Sequence, residues 1–306
     1  MTETWFDLVP RQQLPRTTAP FRGETLHSFL RRLAAVNHIT VTDLQPLLGS
    51  TTGKRPDPRW LSIVTGWPVA ALVDRLRGLT EPEPRHRFPS ALCRLCAARR
   101  NVFDTVIVYP DGHVNVCRRH RLWIGGSHTA PQYDITPLPE LRTAQRTHRR
   151  LARRHGTLAA EAAYRDATSI IRRWTDSGQH TSHRDRRLRI CFPDRPERPG
   201  WPETEMADYP EVVALTALLI SDTWTSKAVS LGPRKNTLRQ FYTEVGRRLD
   251  LDIRFDNIDD PLVSWVNEQQ HALELQRYRS DPTGTRRRPL ASRIWREHQQ
   301  AVLPHS

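Results

Sequence analysis

Residues 93–120 read CRLCAARRNVFDTVIVYPDGHVNVCRRH, a stretch opened by Cys93 and Cys96 and closed by Cys117 and His120. Twenty residues lie between the two pairs. Each C-x2-C or C-x2-H pair spans one tight turn, and a returning spacer brings the second pair to the first, which is the arrangement a tetrahedral zinc ion requires. The spacer has the sequence of a hairpin: residues 105–109 read as a strand, Pro110-Asp111-Gly112 as its turn, and residues 113–116 as the strand that returns Cys117. Four protein ligands leave no open coordination position for water or substrate, so the expected cofactor is a structural Zn2+. Cys93, Cys96 and Cys117 are the expected thiolate ligands and His120 the fourth, with His113 and His128 as alternatives for that last place. Cys191 stands apart and reads as an inert buried thiol; one spare cysteine speaks against a disulfide framework and for a reducing cytoplasm.

Upstream of this stretch the pattern is helical. Residues 1–22 are irregular, interrupted by Pro10, Pro15 and Pro20. Residues 24–36 place Leu26, Phe29, Leu30 and Leu33 at i, i+3, i+4 and i+7, with Arg31 and Arg32 flanking the apolar stripe. Thr40 is the expected N-cap of a second helix, Asp43 its capping-box partner and Gly49 its stop, with Pro46 shortening or kinking it. Residues 59–65 and 68–76 form two helices about Thr65-Gly66-Trp67, so residues 23–80 make a domain like a helix-turn-helix. In it Arg59 and Arg75 are candidate phosphate contacts, although Ala70 and Ala71 offer the second helix few base-reading atoms.

Downstream of the zinc-binding hairpin, which occupies residues 90–126, residues 140–176 read as a basic helical pair broken at His155-Gly156. Its first helix carries Arg142, Arg146, Arg149, Arg150, Arg153 and Arg154 with no compensating acid at i+4, a self-repelling pattern that a polyanion would relieve. Residues 177–200 read as a linker, 205–278 as a C-terminal helical domain, and 279–306 as a basic tail. The expected fold is mainly α, multi-helical, with helix-turn-helix-like units and one small zinc-stabilised β-hairpin.

Over 306 residues the formal net charge is +14, and the basic side is almost wholly arginine, since the only lysines are Lys54, Lys227 and Lys235. Arginine's planar fork matches phosphate oxygens and guanine edges, so the composition points to DNA as a partner. Arg118, Arg119 and Arg121 are the further candidate contacts, because a metal site would hold them rigidly. No apolar run approaches the roughly 18 residues of a membrane helix, and residues 1–10 lack the apolar stretch of a signal peptide, so a cytoplasmic protein without a membrane partner is expected. Catalysis is not expected: the acids are scattered, and Gly49-Ser50-Thr51-Thr52-Gly53-Lys54 lacks the spacing and preceding strand of a phosphate-binding loop.

Three elements together resemble the TniQ family of transposition target-selection proteins, over about residues 12–160. They are Pro20 with Gly23-Glu24-Thr25-Leu26, Ser28-Phe29-Leu30 and Arg32-Leu33-Ala34; the helical unit over residues 61–76 with Thr65-Gly66; and the Cys93, Cys96, Cys117, His120 segment followed by Leu122. Arg94 and Arg118 stand where members usually have proline. The resemblance implies DNA binding at a chosen site or, in some systems, docking on an RNA-guided complex, followed by recruitment of an AAA+ ATPase that positions the transposase. A DNA-binding transcription regulator, or an orphan protein-interaction module with no tie to transposition, is the alternative.

Overall fold

A computed structural model describes residues 10, 12–50, 55–82, 89–110, 114–126, 129–193, 200–229, 234–253 and 260–280. Among them are twelve helices and seven two-residue strands, so the chain is mainly α. No single helix among the described residues is long and apolar enough to cross a membrane. The chain divides into two units, Met1–Gln145 with Ile190–Met206, and Arg146–Arg189 with Ala207–Ser306.

The first unit begins with strand β1 (Glu24–Thr25), and Thr25 then caps helix α1 (Leu26–Val36) by accepting from the Ser28 amide. Helix α2 (Val41–Leu47) has the full capping box between Thr40 and Asp43 and contains Pro46, which keeps it to two turns. Helix α3 (Pro58–Thr65) starts on the Asp57 cap with proline in its first turn and ends at Gly66, whose φ of 70° provides the left-handed stop. Helix α4 (Val69–Arg75) follows directly and runs into β2 (Leu76–Arg77). Phe29, Leu30, Leu33, Leu44, Leu48, Leu61, Val64 and Leu72 make the shared core of these four helices.

Arg32 lies inside this unit and does not flank it. Its guanidinium, 1% exposed, donates from Nε to Glu24 Oε1 at 2.9 Å and from Nη2 to Glu24 Oε2 at 2.8 Å. Thr18 Oγ1 and the Ala19 carbonyl accept its remaining donors, and it sits over the rings of Phe21 and Phe29. Glu24 is likewise saturated, accepting from the Phe21 amide and the Ser28 hydroxyl. An apolar stripe cannot reveal this: a fully paired bidentate arginine occupies core volume that the pattern assigns to solvent.

The strands differ from the expected hairpin. Strand β4 (Ile107–Val108) pairs with β1 and with β3 (Ser90–Ala91), giving a sheet of order β2-β1-β4-β3. Strand β5 (Val116–Cys117) pairs with β6 (Leu122–Trp123), which pairs with β7 (Tyr133–Asp134). The segments on either side of residues 110–113 thus belong to different sheets, and Asp111 and Gly112 of the expected turn, with His113 at the start of the expected return strand, lie outside the described residues. The cause is where each strand buries its side chains. Val106 and Val108 join Phe21, Ala97 and Val102 in one apolar cluster, whereas β5 is fixed by Gln145, whose Oε1 accepts from the Asn115 and Val116 amides at 2.8 Å each. Gln145 is on α6 (Pro139–His155), whose first turns belong to this unit.

In the second unit, α7 (Thr157–Asp176), α9 (Trp201–Leu219), α10 (Asp222–Val229), α11 (Arg234–Leu249) and α12 (Pro261–Arg279) enclose a large apolar core. Ile170 and Trp174 of α7, Leu215 and Leu218 of α9, Phe241 and Val245 of α11, and Leu262 and Trp265 of α12 lie within it. Asp260 caps α12 at the Leu262 amide and also accepts from Trp174 Nε1 and the Tyr242 hydroxyl. Residues 177–200, expected as a linker, contain helix α8 (Ser182–Cys191). Its Arg187 is buried and donates to both oxygens of Glu211, at 2.6 and 2.7 Å. A charged linker composition conceals one residue that the fold requires. The expected tail, residues 279–306, lies outside the described residues from residue 281 onward.

Candidate metal centre

Cys93 follows β3 and closes the first turn of α5 (Arg94–Ala98): its carbonyl accepts from the Cys96 amide at 3.0 Å and the Ala97 amide at 3.1 Å. One helical turn therefore points Cys93 and Cys96 the same way. Asn101, in the left-handed region at φ 56°, ends the turn, and buried Val102 returns the chain to the apolar cluster. The second pair is carried by a different device. Cys117 ends β5, residues 118–121 form a turn that includes Arg121 at φ 53°, and β6 returns with Leu122 opposite Cys117. A hairpin does support the site, but it is the one formed by β5 and β6 around His120.

These two knuckles meet. The ligand atoms of Cys93, Cys96, Cys117 and His120 all lie within 4.8 Å of one another, and the cluster could hold a metal ion. His120 Nδ1 is 3.3 Å from both Cys93 Sγ and Cys96 Sγ and 3.6 Å from Cys117 Sγ, and Cys96 and Cys117 sulfurs are 3.7 Å apart. A tetrahedron with metal–sulfur bonds of about 2.3 Å and metal–nitrogen bonds of about 2.05 Å has S–S edges of about 3.8 Å and S–N edges of about 3.6 Å. The four distances lie within about 0.3 Å of these edges, a spacing that suits a tetrahedral ion held with Nδ1 as the imidazole donor. His120 is thus the histidine brought to the sulfurs; His113 and His128 lie outside the described residues.

The electrostatics lead to the same chemistry. Hydrogen bonding from Cys93 holds the Cys117 thiol down at about 4 against the effect of burial, with the His120 amide helping. Cys93, the donor in that bond, is pushed far up, and burial raises Cys96. Three thiolates packed this closely repel one another, and a bound cation is what lets all three ionise together. Cys191, set apart from the cluster, is half-buried, and burial raises its thiol to about 11, as an inert cysteine requires.

Gln132 supplies an outer support that no sequence signal marks. Its Oε1 accepts from the Arg94 amide at 3.0 Å and its Nε2 donates to the Leu92 carbonyl at 2.8 Å, which clamps the first knuckle from both sides of Cys93. Gln145 does the equivalent for the second knuckle through β5. Among the expected arginine contacts, Arg118, Arg119 and Arg121 are exposed together on the β5–β6 turn. Arg59 is exposed at the start of α3. Arg75, at the end of α4, is half-buried, donates to the Pro20 carbonyl at 3.4 Å and lies over the Trp67 ring.

A metal ion held by all four side chains would present no open position to a substrate and would fix the two knuckles and the arginines between Cys117 and Leu122. No protein-family model, curated protein or solved structure matches this chain.

Proposed function

We propose that the chain is a zinc-stabilised, DNA-binding adaptor, related to the TniQ family, that selects target sites in transposition and recruits an AAA+ ATPase and through it a transposase. The observation that carries this reading is the tetrahedral Cys93, Cys96, Cys117, His120 arrangement with Arg118, Arg119 and Arg121 exposed on its second knuckle. Zinc is the ion this donor set favours, since three thiolates and one imidazole at tetrahedral spacing suit a soft-tolerant divalent metal with no geometric preference of its own. The adaptor is not a catalyst in this reading. Phosphate contacts from arginine provide affinity, and site choice comes from a reading helix or from a docked partner such as an RNA-guided complex.

The α3–α4 pair favours the second of these sources. Ile63 and Val69 are exposed and Ala70 is exposed beside them, so the surface where a reading helix would carry base-contacting groups is apolar. A protein partner docked there, whether in transposition, in transcription or in another assembly, fits that chemistry better than a major groove.

Two measurements test the proposal. Elemental analysis of natively purified protein is expected to return one zinc per chain. Titration of DNA fragments against a salt gradient is expected to show a steep negative slope that a neighbouring-gene ATPase extends to a ternary complex. A chain free of zinc, or one whose DNA binding is absent at low salt, overturns the reading; binding without any ATPase partner shifts it to the regulator.

A further inference from the structure

Helix α6 presents an arginine face for which the metal centre gives no use. In the part that belongs to the second unit, Arg146, Arg150, Arg153 and Arg154 are exposed and Arg149 is half-buried. None of the five has an ion pair, a hydrogen bond or a ring contact to another side chain among the described residues. The only acid in α6 is Glu140, in its first turn. This contrasts with Arg32 and Arg187, which are spent on buried carboxylates, and with Arg247 and Arg248, which share Glu244.

The orientation of that face is fixed from behind. His148 is fully buried, lies 3.1 Å from the Tyr209 hydroxyl through Nδ1, and stacks on Tyr164 at 4.5 Å between ring centroids. Ala152 is buried one turn further on. With 148 and 152 inward, positions 146, 150 and 153 point outward on one line, since residues three and four apart share a helix face. Stabilisation of the helix dipole explains cations in the last turn, Arg153 and Arg154, and leaves Arg146, Arg149 and Arg150 without a local purpose.

We propose that this face binds the phosphate backbone of duplex DNA, as a second contact surface separate in sequence from the Cys117–His120 knuckle. The inference rests on the DNA-binding reading above. From 146 to 154 the helix rises about 12 Å, and a duplex strand offers one phosphate per about 3.4 Å of axis, so the row of guanidinium groups faces about three successive phosphates. Flexible stems on a rotationally locked helix suit a backbone whose exact groove position varies, and such contacts carry no sequence preference.

The test uses the full zinc-loaded chain. Arg146→Gln/Arg150→Gln/Arg153→Gln keeps helix propensity while removing three charges and is expected to lower the slope of log K against log salt by about 2 to 3 and to weaken unrelated DNA sequences equally, about tenfold or more at 0.1 M salt. The matching triple lysine variant is expected to keep the slope. If the glutamine variant keeps the wild-type slope while Arg118→Gln/Arg119→Gln/Arg121→Gln flattens it, the inference fails and the DNA-binding reading stands. If the wild-type chain shows no salt-dependent binding, the reading itself fails. Tighter binding to an RNA duplex of the same sequence overturns the assignment to DNA.

Discussion

The first unit contains the metal cluster, seven strands of two residues each and a core built from leucines of short helices, while the second has five helices of 8 to 20 residues around one continuous apolar cluster. In the first, directed polar contacts do much of the fastening: Glu24 with Arg32, Gln132 across the first knuckle, Gln145 under the second, and the Cys93, Cys96, Cys117, His120 tetrad. In the second, Phe241, Trp265, Trp174 and Leu218 supply volume, and polar groups such as Asp260 and Asp166 serve to hold the indole and phenol edges. Short elements cannot bury enough side chain on their own, so geometry substitutes for area. The first unit should therefore be sensitive to the loss of single polar atoms, and the second to the loss of volume.

With zinc in the Cys93, Cys96, Cys117, His120 cluster as proposed, its removal is the largest expected break in that comparison. Chelation, or Cys117→Ser, is expected to unfold the segment from β3 to β7, with a loss on the order of 10 kcal/mol of the free energy that binding lends to folding. Hydrogen exchange should register it as lost protection at Leu92, Val116 and Leu122 while α7, α9, α11 and α12 keep theirs. Equal loss of protection in both units would show that the division of labour is wrong.

Next in size is the buried pair in each unit. Glu24→Gln leaves the Arg32 charge buried without its partner and is expected to cost about 3–5 kcal/mol by urea denaturation. Glu211→Gln does the same to Arg187, but that pair is 4% and 11% exposed against 1% and 0% for Arg32 and Glu24, so solvent relieves more of the penalty and the cost is expected to be smaller. Replacing both partners, Glu24→Leu with Arg32→Met, should recover much of the loss. A double variant no better than Glu24→Gln would mean that the shape of the pair, and the contacts to Thr18 and Ala19, matter more than its charge.

This second prediction shows where the sequence was legible and where it was not. The helices α1, α3, α6 and α7 and the cap at Thr40 were readable, because periodicity and capping chemistry act within a few residues. The four residues of the Cys93, Cys96, Cys117, His120 cluster were readable for the same reason, as each pair is local. Pairing of β4 with β1 and of β5 with β6 was not, since two-residue strands carry no register signal and the choice depends on which cluster each valine enters. Arg32 and Arg187 were misplaced for a related reason: an arginine's partner can lie anywhere in the chain, 8 residues away for Glu24 and 24 for Glu211. Gln132 and Gln145 have neutral side chains with no motif, and only the folded geometry gives them a role.

The smallest effect sharpens the contrast through pH. Burial pushes Asp208 up to about 7, against the pull of Arg184 and with Glu211 adding to the rise; Arg187 and Asp185 are its other charged neighbours, and His183 lines the same small cavity. Its ordinary value is 3.8, so between about pH 4 and pH 7 the folded chain holds a proton that the unfolded chain has released. Stability from this group therefore falls as pH rises through that window and levels off above it, with a slope of at most about 1.4 kcal/mol per pH unit and a total on the order of 2 kcal/mol after solvent relaxation. His180, lowered by burial, acts in the opposite sense, costing stability as pH falls below its ordinary 6.5, so the wild-type curve alone does not isolate Asp208. The difference between wild type and Asp208→Asn does. The amide has nearly the shape of the protonated acid and does not titrate, so the variant should match wild type near pH 4 and exceed it at pH 7.5, measured by urea midpoints of the second unit. A variant that is less stable than wild type at both ends would mean that the carboxylate is needed as a partner for Arg184, and that the second unit too depends on directed charge.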